Sequence, residues 1–121
     1  MTWQWASLVA TGGAAGALAR GALGFWLKTS FPWPTLIANV LGALLAGWLM
    51  GRLGAVDATV ATAHWQALLV TGFCGGFTTL SSFSWQTLEQ FNRGQWQLAF
   101  ANIALTLTLS LFAAWAGFRC R

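Results

Sequence analysis

From Thr35 to Gly51 the sequence runs TLIANVLGALLAGWLMG without a single charged residue, and from Trp96 to Phe118 it does so again. Segments of roughly 20 apolar residues are long enough to cross a lipid bilayer as helices. Only 7% of the 121 residues are charged and 57% are hydrophobic, whereas a soluble domain carries about 25% charged residues. So little charge cannot cover the surface of a water-soluble fold of this size. The chain reads as an all-α integral membrane protein, embedded in a lipid bilayer.

Four helices are expected, over about 5–27, 35–53, 64–91 and 95–118, within one transmembrane domain spanning 1–121. The link KTSFPWP carries both prolines, and Pro34 suits a helix start because its missing N–H is not needed there. The links GAVDATVAT and FNRGQ supply the remaining turns. The N-terminus MTWQWASLVATGG lacks the basic stretch of a cleaved leader, so the first segment is expected to be retained. Cys74 and Cys120 are too far apart in sequence and expected depth for a disulfide framework. No Cys/His cluster has metal-ligand spacing. The net charge of +4 is scattered over single residues, which excludes a clustered nucleic-acid footprint.

Lys and Arg near helix ends set orientation, while acids contribute little. One side of a four-span chain holds Arg52, Arg119 and Arg121, and the other holds Lys28 and Arg93. Three against two scarcely fixes an orientation, so the count permits insertion both ways and an antiparallel dimer.

Polar residues are few and patterned. In GGAAGALARGA, Gly12 and Gly16 are small residues at four-residue spacing, which lets helix backbones approach closely in lipid. Arg20 lies inside this segment, where it either faces a water-filled cavity or partner, or snorkels to an interface. Thr35 and Asn39 share one face of the second helix, where an amide can act as interhelical glue. Asn102, Thr106 and Ser110 recur at i, i+4 and i+8 on the fourth. They form either a hydrated track or a set of hydroxyls bonded back onto their own helix.

The densest cluster is GFCGGFTTLSSF, residues 72–83. Each glycine there costs about 1 kcal/mol against alanine in a helix. A break over 75–79 in the third helix is therefore expected at mid-membrane. Broken backbone at that depth is tolerated only where protein or a water-filled cavity satisfies the freed groups, and free carbonyls suit a hard cation such as Na⁺. Beyond the break, Thr79, Ser82 and Gln86 make a polar face, with Leu80 and Phe83 on an adjacent apolar one.

GGFTTLSSFSWQ resembles the GGxTTFSTFxxE signature of the Fluc/CrcB fluoride channels, supported by GGAAGALAR with Arg20 and TLIAN with Asn39. The resemblance covers nearly the whole chain. It implies an antiparallel, dual-topology homodimer in a bacterial or archaeal-type plasma membrane, passing F⁻ passively and relieving fluoride toxicity by export. It further implies a structural Na⁺ at the dimer centre, held by the carbonyls of Gly75 and Thr78 from each subunit. Phe83 would offer its positive ring edge to F⁻, and Asn39 would orient that ring and donate to the ion. Thr79, Ser82, Thr106 and Ser110 would line the route, with Arg20 drawing anions to the vestibule. The chain departs from the signature at Leu80, which replaces a phenylalanine, at Ser82, which replaces a threonine, and at Gln86, which replaces a glutamate near Thr35.

Two other readings compete. A small multidrug-resistance type transporter also has four helices, but it needs an intramembrane carboxylate, and the only acids are Asp57 and Glu89. A non-transporting assembly subunit would give no ion flux. An enzyme is not expected, because His64 is the only histidine and no nucleophile or base accompanies it.

Overall fold

The computed structural model describes residues 1–120. It is helical throughout: α1 (Trp3–Trp26), α2 (Trp33–Leu53), α3 (Val60–Trp65), a π-helical stretch (Gln66–Cys74), α4 (Gly75–Phe77), α5 (Leu80–Asn92) and α6 (Trp96–Arg119). The run from Val60 to Asn92 forms one span, which with α1, α2 and α6 makes four helices long and apolar enough to cross a membrane. Arg121, counted above for orientation, lies outside the described residues.

Local chemistry sets the helix starts. The Thr2 hydroxyl accepts from the Trp5 N–H at 3.1 Å and so caps α1. The third span begins four residues before the expected His64 because Thr59 and Thr62 cap it reciprocally, each side chain accepting from the other's backbone N–H. Gly94, with φ +72°, closes the tight turn between α5 and α6.

The spans pair by backbone approach. α1 packs chiefly on the π-helical stretch and α4, and α2 packs chiefly on α6. A Cβ on Gly12 would collide with the Leu68 carbonyl, one on Gly16 with the Phe73 carbonyl, and one on Gly76 with the Gly13 carbonyl. Gly47 lies against the Ala114 carbonyl, and Gly117 against that of Leu44. Close contact of this kind replaces the hydrophobic drive that lipid cannot supply. Large side chains such as Trp26, Trp85, Phe112 and Trp115 point outward.

The third span departs from expectation in two ways. Gly75 has φ −62° and ψ −37°, so it is helical, and Gly76 and Phe77 complete the same turn. Only Thr78 (φ −82°, ψ 157°) and Thr79 (φ −154°, ψ 116°) are extended. The glycines are therefore not what interrupts the helix; Gly76 is small because α1 passes against it. The nine residues before them wind as a π-helix, which no sequence pattern announces. Such winding is rare and gathers at functional sites.

Candidate functional site

The two extended residues leave backbone groups that must be satisfied within the membrane. Asn39 of α2 answers both groups of Thr79: its Oδ1 accepts from the Thr79 N–H at 2.7 Å, and its Nδ2 donates to the Thr79 carbonyl at 3.1 Å. The amide keeps one further N–H for another acceptor. Thr78 turns back on the end of the π-helical stretch, where its N–H and hydroxyl both donate to the Cys74 carbonyl, at 2.9 and 2.8 Å. Thr79 caps α5 by accepting from the Ser82 N–H at 3.1 Å. Arg20 of α1 reaches inward, its Nε 3.4 Å from the Gly76 carbonyl. The turn and side-chain hydrogen bonds at the interruption thus go to the carbonyls of Cys74, Gly76 and Thr79, and none of them to those of Gly75, Phe77 or Thr78.

The residues singled out from sequence divide between two spaces. A mostly apolar cavity of about 560 Å³ is bordered by Asn39, by Gly75, Thr78 and Thr79, and by Leu80 and Phe83. Thr106 and Ser110 of α6 complete its polar side. A second, basic cleft of about 600 Å³ is bordered by Arg20, Thr35, Ser82 and Gln86, with Lys28 beside them. The Ser82 and Gln86 side of α5 thus faces a different space from Leu80 and Phe83.

A hydrogen-bonded chain ties α5 to α6 behind Phe83. The Thr87 hydroxyl donates to the Phe83 carbonyl at 2.7 Å and accepts from Asn102 Nδ2 at 3.0 Å, while the Thr106 hydroxyl donates to Asn102 Oδ1 at 3.3 Å. Asn102 is 2% exposed. The stripe on α6 is thus partly structural: Asn102 and Thr106 are bonded to each other, and the Ser110 hydroxyl is buried without a partner at the cavity wall. Thr87 has no mark in the sequence, where a threonine four residues after Phe83 carries no signal of its own. Gln86 Oε1 is also buried without a partner, so Thr35 does not donate to it although both border the cleft.

The geometry can be set beside known proteins. Residues 7–118 match the family model described as "CrcB-like protein, Camphor Resistance (CrcB)". The chain belongs to the CrcB-like family. Over 115 residues it is 43% identical to a protein of Symbiobacterium thermophilum named "Fluoride-specific ion channel FluC 2", covering 92% of each chain. A protein of the same name from Bacillus cereus is 39% identical over 93% of this chain and 92% of its own. "Fluoride-specific ion channel FluC" of Paramagnetospirillum magneticum is 40% identical over 92% and 90%. These relatives carry the names of ion channels and not of enzymes. This CrcB-like chain, with its four spanning helices, is a multi-pass membrane protein.

Proposed function

We propose that this protein is a passive, fluoride-selective channel of the plasma membrane, exporting F⁻ to relieve its toxicity. The observation that carries the reading is the convergence of Asn39, Phe83, Thr106 and Ser110 on one cavity beside the Thr78–Thr79 interruption. Relatives named as fluoride channels over most of the chain support it. A small anion leaving water needs replacement hydrogen bonds. Neutral hydroxyl and amide donors and a ring edge supply these weakly enough for the ion to leave again. Arg20 and Lys28 raise the local anion concentration at the basic cleft.

The functional unit in this reading is an antiparallel, dual-topology homodimer, with the third span broken at mid-membrane. A Na⁺ at the dimer centre would use the carbonyls of Gly75 and Thr78; the turn and side-chain hydrogen bonds at the interruption go to the carbonyls of Cys74, Gly76 and Thr79 instead. When bound, the ion supplies positive charge that holds carbonyl dipoles of two subunits together. Asn39 and Thr79 position that backbone, and Gly75 leaves its protomer open towards a partner, the nearest atom to an added Cβ being the Val70 carbonyl oxygen at 3.9 Å.

The transporter alternative lacks its key group. No carboxylate borders either the apolar cavity or the basic cleft, and Glu89 is bonded to Arg93 at 2.6 Å. The deciding experiment is fluoride efflux from proteoliposomes beside chloride efflux, with and without a protonophore. Fluoride efflux well above chloride and indifferent to the proton gradient is expected. Flux that stops with the gradient sinks the channel reading, and no flux at all returns the protein to an assembly role.

A further inference from the structure

Gln86 and Gln90 lie one turn apart on α5. Gln90 is 6% exposed. Neither its Oε1 nor its Nε2 meets a partner, and the Oε1 of Gln86 is likewise buried and unpartnered. Each buried polar group left unsatisfied costs about 1–3 kcal/mol. Three such atoms on one helical face would favour replacement by leucine unless something regularly completes their bonds.

Both glutamines border a pocket of about 260 Å³, closed by Thr29, Ser30 and Pro32 of the α1–α2 link and by Gln95 of the α5–α6 turn. A water molecule occupies about 30 Å³ in the liquid, so the pocket admits several small species. Thr29, Ser30, Pro32 and Gln86 also border the basic cleft, making one shared wall between the two spaces. The charged groups of the pocket, Glu89 and Arg93, are paired with each other. Those of the cleft, Arg20 and Lys28, make no ion pair among the described residues. The pocket is therefore neutral, rich in amide and hydroxyl groups, and biased towards anions from one side.

We propose that this pocket is a hydrated side portal to the basic cleft, in which the amides of Gln86 and Gln90 bind small hydrated anions weakly. The amide N–H groups take the anion, and the amide oxygens hold its remaining waters. Weak binding follows from the absence of an unpaired charge in the pocket. The portal lies outside the cavity of Asn39 and Phe83, and its existence does not depend on which anion the protein conducts; only the flux measurement below rests on the fluoride reading.

Thiol labelling in membranes tests the portal directly. In a Cys120→Ser background, buried Cys74 sets the unreactive baseline. Gln90→Cys is then treated with anionic sulfonatoethyl and cationic trimethylammonioethyl methanethiosulfonate. With every rate expressed relative to that reagent's rate on a small free thiol, electrostatic focusing predicts labelling by the anionic reagent roughly tenfold faster than by the cationic one, a ratio that shrinks in high salt. Gln86→Cys provides a second labelling position if Gln90→Cys does not fold. Labelling at the Cys74 baseline, or faster labelling by the cation, overturns the proposal whatever the protein conducts. Gln90→Leu supplies the functional arm. A several-fold fall in fluoride efflux with thermal stability kept or raised is expected, whereas raised stability with unchanged efflux marks a dry pocket and overturns the portal.

Discussion

Asn39 meets Thr79 with both ends of its amide, satisfying the N–H and the carbonyl of a single extended residue from another helix. Few substitutions can reproduce that pair of bonds. Asn39→Asp keeps the acceptor but replaces the donor by a carboxylate oxygen facing the Thr79 carbonyl. Asn39→Leu keeps the approximate volume and loses both bonds. The aspartate leaves the Thr79 carbonyl unpaired and opposed by a negative charge, and the leucine leaves both groups unpaired, at about 1–3 kcal/mol per group. Both variants should unfold at lower temperature in detergent and lose fluoride efflux, with the aspartate the worse of the two. Wild-type melting of Asn39→Leu would remove this contact from the account of the fold.

The glycines of the third span separate into two kinds. A Cβ at Gly76 would collide with the Gly13 carbonyl, whereas a Cβ at Gly75 has ordinary space and helical torsion angles. Gly76→Ala should therefore prevent α1 from docking and sharply reduce the yield of folded protein. Gly75→Ala should leave the protomer sound, so any defect it causes must arise where a second subunit approaches. Size-exclusion chromatography and Na⁺-dependent thermal stability distinguish the two. Normal assembly and normal Na⁺ dependence in Gly75→Ala would place the dimer axis elsewhere.

Phe83 borders the apolar cavity, and Leu80, 74% exposed, carries no ring to stand in for it. Phe83→Ile keeps apolar volume and leaves the Phe83 carbonyl available to the Thr87 hydroxyl. A well-folded protein with severe loss of fluoride efflux is expected. Near-normal efflux would leave the hydroxyls of Thr106 and Ser110 as the route without an aromatic station.

Orientation can be forced. Two lysines added to the link after Arg52 should bias insertion one way and abolish efflux from that variant alone. Co-expression with an oppositely biased variant should restore it. Full efflux from the single biased variant would refute dual topology.

The spans were legible because each is a long apolar run, a signal that short-range detail cannot disguise. The packing role of Gly12 and Gly16 was legible too, since four-residue spacing defines one helical face. The interruption occupies the last two residues of the expected 75–79 break and not its glycines, because poor helix propensity is a weak local preference that packing overrides. Thr79 is held extended by Asn39, a contact forty positions distant that no local pattern announces. The π-helical winding of QALLVTGFC has no signature in composition or period. Gln86 and Gln90 belong to a face whose opposite wall comes from the α1–α2 link, so their shared pocket is invisible until the chain is folded.

The pairing of the spans has a consequence for how the protein comes into being. α1 finds its main surface on the third span, and α2 finds its own on α6, so the two pairs interleave along the chain. No contiguous half contains a finished pair. After α1 and α2 enter the bilayer, both must wait among lipids, each presenting a glycine groove to acyl chains. The first lock closes only when the third span arrives, and the second only with α6. Biogenesis therefore runs through an obligatory period of helices without partners, in which insertion is complete for a span well before its folding begins.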